Sequence, residues 1–171
     1  MNKMGKLLVG CVAVLASGIA CADLCAFVNP FTGTAGTGHT TPAAAYPFGM
    51  VQAGPDSGNF NWAYCSGYQF NDQTVIGYSQ THLSGTGCTD MGDVQILPFT
   101  GGLSVRPAYR AVDKRQERAE PGYYTTVQSV DGIKVEVTAS KHVGVYRFTS
   151  LEGRNLKVLV NPAAGCRAGF G

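Results

Sequence analysis

The stretch from Tyr123 to Thr138 constrains the fold more than any other, because it repeats with a period of two around one turn signal. Ile133, Val135 and Val137 alternate with Lys134, Glu136 and Thr138, and Asp131-Gly132 separates them from the β-prone run Tyr123 to Val130. A helix would scatter those apolar residues around its circumference, whereas a pleated strand sets them on one face. Asp-Gly favours a two-residue hairpin turn, so the stretch predicts two antiparallel strands with one face buried and the other wet. His142 to Thr149 predicts a further strand, Glu152-Gly153 a turn, and Leu156 to Val160 another short apolar strand. Repeated hairpins of this kind build one layer of a sandwich.

The first half is different in kind. Between Asn29 and Asp93 the chain is dense in glycine, with short candidate strands at Gly49 to Ala53, Thr74 to Ser79 and Val94 to Phe99. Loops this long in a compact domain are functional or disordered, and the aromatics Phe48, Phe60, Trp62, Tyr64, Tyr68, Phe70 and Tyr78 argue for order. The run Thr81 to Asp93 gathers small hydroxyls, glycines, His82 and two carboxylates. That mixture suits a backbone laid against a polyhydroxyl ligand, or else a glycine-rich β-connection whose side chains satisfy local backbone. Trp62, the sole tryptophan, sits in the polar loop Asn59 to Tyr64. Its ring suits the C–H face of a pyranose, the alternative being a core tryptophan with a satisfied N–H. His39 and His82 lie in glycine-rich motifs and offer hydrogen bonds to sugar hydroxyls, while His142 opens a strand and reads as structural.

Three chemistries are set aside. Nothing places Asp90 and Asp93 across a cleft, as the acid and base of an inverting glycosidase must be, so they read as braces of their loop. Ser84 has His82 where a G-x-S-x-G elbow needs glycine, and Gly33 to Gly38 lacks the helix or Lys-Ser/Thr of a phosphate loop.

The ordered series of motifs resembles the N-terminal domain of glycoside hydrolase family 92, over most of the chain after residue 27. It runs through Val28-Asn29-Pro30-Phe31, Gly33-Thr34, Gly38-His39-Thr40 and Ala45 to Gln52. Pro55-Asp56, Trp62, Ser66-Gly67-Tyr68, the Thr81 to Gly87 run and Ala119 to Tyr124 complete it. The resemblance implies an exported, calcium-dependent, inverting exo-α-mannosidase that removes mannose from glycans. It implies an all-β fold, an antiparallel β-sandwich of the galactose-mutarotase-like supersandwich kind, here incomplete. In the family a C-terminal (α/α)6 barrel carries the catalytic acid and base, so no catalytic residue is assigned to this chain. The substrate-binding expectation falls on Trp62, His82 and His39, with Trp62 resembling an aromatic that lines the leaving-group side of the pocket. Calcium is implied for the whole enzyme, and without a D-x-D-x-D-G loop no metal ligand is assigned here.

The chain departs from the family where Ala43-Ala44 replaces a Pro-Gly-Ala turn and where Lys114 and Tyr146 replace histidines. The segment Asn161 to Gly171 no longer follows the pattern. Residues 23–171 are thus expected to be part of a wall-forming domain whose partners are α-mannoside glycans and the barrel, inactive by itself. The rival expectations are a stand-alone carbohydrate-binding or structural module and a truncated gene remnant.

Residues 1–22 read as an export signal: Lys3 and Lys6, an apolar run from Leu7 to Ala20, and Ala20-Cys21-Ala22 as a small-x-small cleavage site. The run is shorter than the ~20 residues a transmembrane helix needs. Lipidation at Cys21 is disfavoured by Gly18. The expected destination is periplasmic or extracellular. The 13 Lys and Arg, less Lys3 and Lys6, then balance the 11 Asp and Glu, which argues against nucleic acid or an anionic membrane as partner. The basic group Arg106, Arg110, Lys114, Arg115 and Arg118 is interleaved with acids and predicts a solvated loop. Cys25, Cys65, Cys88 and Cys166 remain after cleavage, an even number that fits disulfides; Cys65 with Cys88 is preferred because both flank motifs that should meet. No Cys/His spacing of a zinc site occurs.

Overall fold

The computed structural model describes residues 24–58, 61–85, 87–88, 90–102 and 109–165; the expected signal, Cys166 and Arg106 lie outside them. The protein is all-β, with no α-helix among the described residues. One sheet contains β1 (Ala44–Ala45), β2 (Gln52–Asp56), β4 (Gly77–Ser79), β5 (Gln95–Phe99) and β11 (Lys157–Asn161), in the order β1-β2-β4-β5-β11. A second contains β7 (Arg118–Glu120), β8 (Tyr123–Gln128), β9 (Ile133–Ala139) and β10 (Gly144–Ser150), in the order β10-β9-β8-β7. A ribbon pairs β3 (Thr74–Val75) with β6 (Arg110–Ala111). All of these pairings are antiparallel.

The two larger sheets pack face to face, with β1 and β2 lying against β8, β9 and β10. Between them Ala44, Val51, Ala53 and Tyr78 meet Tyr124, Ile133, Val135 and Val137, all buried, which is the apolar stripe that the alternation of the second half provides. Small residues on β1 and β2 let the sheets approach. A Cβ on Gly54 would stand 2.7 Å from Ala43 Cα, so that position tolerates no side chain.

The hairpin differs from expectation at its turn. Gln128 pairs with Ile133, so Ser129 to Gly132 makes a four-residue connection rather than the two-residue turn that Asp-Gly favours. Asp131 is drawn inward, where its carboxylate accepts from Thr100 N at 2.9 Å and Thr100 Oγ1 at 3.1 Å and pairs with Arg110 at 3.4 Å. Gly132 then closes the turn at φ +63°, a left-handed value that glycine adopts without strain. The wet face is also partly closed: Glu136 is buried under Arg147, at 2.7 Å to each carboxylate oxygen, and under Tyr123 OH at 2.8 Å. Those donors, Arg147 foremost, hold the Glu136 carboxyl down at about 2.

The basic segment is not a solvated loop. Lys114 lies over the rings of Tyr68 and Phe70, at 5.1 and 4.8 Å to their centroids, and pairs with the buried Glu117. Glu117 Oε1 also accepts from Tyr68 OH at 2.9 Å and Tyr124 OH at 2.6 Å, tying the 110–120 segment to the core. Arg115 and Arg118 of this group remain exposed, Arg115 paired with Asp113.

Among the described residues four strands of the two larger sheets have a partner on one side only, β1 and β11 in one sheet and β7 and β10 in the other, and β10 and β11 are the longer edge of each. Val145 on β10 and Val158 and Val160 on β11 are exposed beside them.

Candidate functional site

Two glycine-rich motifs meet beside the loop that carries Trp62. Gly85 N donates to His39 O at 2.6 Å and Thr41 N to Ser84 Oγ at 3.3 Å, so the Thr81 to Gly87 run is hydrogen-bonded to Gly38-His39-Thr40. The fold-back before His39 depends on Gly38, where a Cβ would overlap the Gly33 carbonyl. His39 itself sits at φ +53°, a left-handed conformation that costs a non-glycine residue about 1–3 kcal/mol and gathers at functional sites.

Trp62 opens a 3₁₀ turn, Trp62–Tyr64, capped by Asn61 Oδ1 accepting from Ala63 N at 3.0 Å. The Gln69 side-chain amide staples the turn from beneath, donating to Ala63 O and to Gly36 O, the latter at 2.8 Å. Held this way, the indole is 59% exposed. It stands nearly perpendicular to the His39 ring, with centroids 4.5 Å apart. A Cβ on Gly87 would reach 3.5 Å from Trp62 Nε1, so the glycine-rich loop borders the indole edge. His39 is only 7% exposed, and its Nε2 is buried without a hydrogen-bond partner among the described residues. A buried nitrogen without a partner is costly, and this one stands beside an exposed aromatic ring.

His82 is placed differently. It is 3% exposed, with Nδ1 2.8 Å from Gln52 O and Nε2 3.0 Å from Asp56 Oδ1 and 3.2 Å from Ser79 Oγ. Both ring nitrogens are therefore occupied within the protein in this arrangement, and neither faces the surface. Ser79 Oγ donates to Asp56 Oδ1 at 2.8 Å and Gln95 Nε2 to Asp56 Oδ2 at 3.0 Å, so the carboxylate is surrounded by donors. A carbonyl only accepts, so Nδ1 carries a hydrogen, and Asp56 favours a second on Nε2. Burial opposes the charged ring, but the hydrogen bond and charge of Asp56, with the Gln52 and Pro55 carbonyls, raise its pKa above the ordinary value. Gly67, at φ +81°, lies against the ring: a Cβ there would be 3.0 Å from His82 Cδ2. The ring is thus a brace beneath the site, held by Asp56 and Ser79 with Gln95 on the far side of the carboxylate, none of which was singled out for a role from the sequence; Pro55-Asp56 in the motif series was the available signal.

A raised folded-state pKa means that His82 stabilises fully below about pH 6.5, its unfolded value, and that this contribution disappears as pH rises through the folded value. The melting temperature is expected to fall as pH rises above about 6.5, and thermal scans of His82→Gln are expected to be flatter over the same rise. Equal slopes in the two proteins would contradict the buried ion pair.

The acids of the glycine-rich run act locally. Asp90 Oδ1 accepts from Met91 N at 2.8 Å, and Asp93 exchanges hydrogen bonds with Thr81, its N–H donating to Thr81 Oγ1 at 3.0 Å. Among the described residues no group of three or more His, Cys, Asp or Glu is arranged to hold a metal ion. No helix among them is long and apolar enough to cross a membrane.

The pattern of the glycosyl hydrolase family 92 N-terminal domain matches residues 27–169. The structure is similar to that of the family GH92 α-mannosidase BT3965 of Bacteroides thetaiotaomicron, solved in complex with mannoimidazole. The two are 36% identical at a TM-score of 0.78, covering 81% of this chain and 20% of that one. It is also similar to the family GH92 inverting mannosidase BT2199 of Bacteroides thetaiotaomicron VPI-5482, at 26% identity and a TM-score of 0.66, covering 78% of this chain and 19% of that one. An uncharacterized secreted glycosidase of Arthroderma benhamiae is 31% identical over 136 residues, 74% of this chain and 17% of its own length. The chain thus spans about a fifth of the length of these relatives.

Proposed function

Because the chain belongs to glycosyl hydrolase family 92, as its N-terminal domain, we propose that it forms the carbohydrate-facing wall of an exported, calcium-dependent, inverting exo-α-mannosidase. Trp62 stacks on a pyranose, His39 Nε2 bonds one of its hydroxyls, and His82 holds the wall in place from beneath. The acid and the base belong to the family's C-terminal barrel, so this chain by itself turns over no substrate. The observation that carries the reading is the buried, unpartnered His39 Nε2 set against a largely exposed indole. The names of the solved relatives supply the choice of mannose.

One wall binds weakly, so affinity for methyl α-mannoside is expected on the order of millimolar. Trp62 is the sole tryptophan, so its emission reports the titration directly. His39→Ala is expected to raise Kd about tenfold, equivalent to one lost hydrogen bond. Calorimetry on Trp62→Ala should show no binding. Unchanged affinity in both variants would refute the sugar-contact reading, and mannose release by the chain alone would refute the division of labour.

A further inference from the structure

The turn bearing Trp62 and the glycine-rich loop each carry one cysteine at the point where they meet. Cys65 closes the turn: its N–H donates to Trp62 O at 3.3 Å, its thiol lies 2.7 Å from the same oxygen, and it is 1% exposed. Cys88 follows Gly87, the residue that borders the Trp62 indole, and it is exposed. Before Cys88 the loop is tied by Gly85 to His39 and by Ser84 to Thr41, and after it by Gly92 and Asp93 to Thr81. Cys25 sits elsewhere, beside Ala119 and Glu120 of β7.

We propose that Cys65 and Cys88 form a disulfide that fastens the glycine-rich loop to the Trp62 turn once the chain meets an oxidising compartment. Burial, and next the neighbouring Cys88, push the Cys65 thiol up, a sign that the two sulfurs sense each other. The oxidant is an external disulfide, from an oxidoreductase or a small molecule. The exposed Cys88, as thiolate, attacks it, forming a mixed disulfide and releasing one external thiolate. Cys65 then gives its proton to solvent and attacks the Cys88 sulfur, expelling the second external thiolate. Two protein thiols are oxidised and one external disulfide is reduced to two thiols. The raised pKa of Cys65 makes the second step the slower one. The cross-link does not depend on the carbohydrate reading, since it concerns only how the loop is held.

The purified chain, equilibrated with oxidised glutathione and then alkylated without reductant, is expected to yield a cross-linked peptide pair containing Cys65 and Cys88. Reductant should separate that pair and lower the melting temperature by about 5–10 °C, with no such fall in the Cys65→Ser/Cys88→Ser double variant. Alkyl groups on both cysteines of the oxidised protein, or a cross-link from either one to Cys25 or Cys166, would overturn the proposal.

Discussion

Replacing Glu117 with alanine is expected to destabilise the protein by about 3–5 kcal/mol, which is a large share of the stability of an ordinary domain. The carboxylate is buried between Lys114, Tyr68 and Tyr124, and each of them would lose its partner. Lys114 would suffer most, because its ammonium is held near two aromatic rings and donates to Tyr68 OH at 2.8 Å. An uncompensated charge in such surroundings costs more than the pair gains when intact. The double change Glu117→Leu with Lys114→Met is accordingly expected to cost less than Glu117→Ala alone, since both charges leave together. Denaturant titrations of the three proteins decide the matter. A loss below about 1 kcal/mol for Glu117→Ala would show that the pair is solvated after all.

Asp56→Ala is expected to cost a similar 3–5 kcal/mol and to disturb the site as well. It strips partners from the His82 ring, the Ser79 hydroxyl and the Gln95 amide at one stroke. Asp56→Asn keeps the shape but not the charge, so an intermediate loss of about 1–3 kcal/mol is expected. His82 packs against Gly67, and Gly67 N donates to Tyr64 O in the Trp62 turn. Relaxation of the ring therefore reaches the indole, and Trp62 emission in the native state should shift in Asp56→Ala while remaining unaltered in Glu117→Ala. No shift in the first variant would separate the brace from the wall.

The second half of the fold was legible because its signal is local. Ile133, Val135 and Val137 show their shared face within five residues, and the pairing of β9 with β8 and β10 follows from it. The turn was misread because Asp131 answers to Thr100, far away in sequence. Strands β1 and β6 are two residues each and have no periodicity to detect; their partners alone define them. The stretch Thr74 to Ser79 looked like one strand but breaks at Ile76, whose N–H turns to Asp56 O at 2.8 Å while its neighbours join different sheets. The basic segment misled for the same reason: alternating charges suggest solvent, and only the approach of Tyr68 and Phe70 buries Lys114. Motif composition did bring His39, Trp62 and His82 to one region. It could not tell a histidine with both ring nitrogens partnered from one with a nitrogen left open, because that distinction rests on Asp56, twenty-six residues before His82.

The open edges of β10 and β11 bear on how the chain behaves in company. Among the described residues each offers an unpaired row of amide and carbonyl groups flanked by valine, with neither proline nor a bulge in the strand to turn a newcomer away. Any extended peptide that reaches them gains a ladder at little cost, whether it comes from the same polypeptide or from a neighbouring molecule. Concentrated solutions of the chain are therefore expected to associate along those two borders, which light scattering checks.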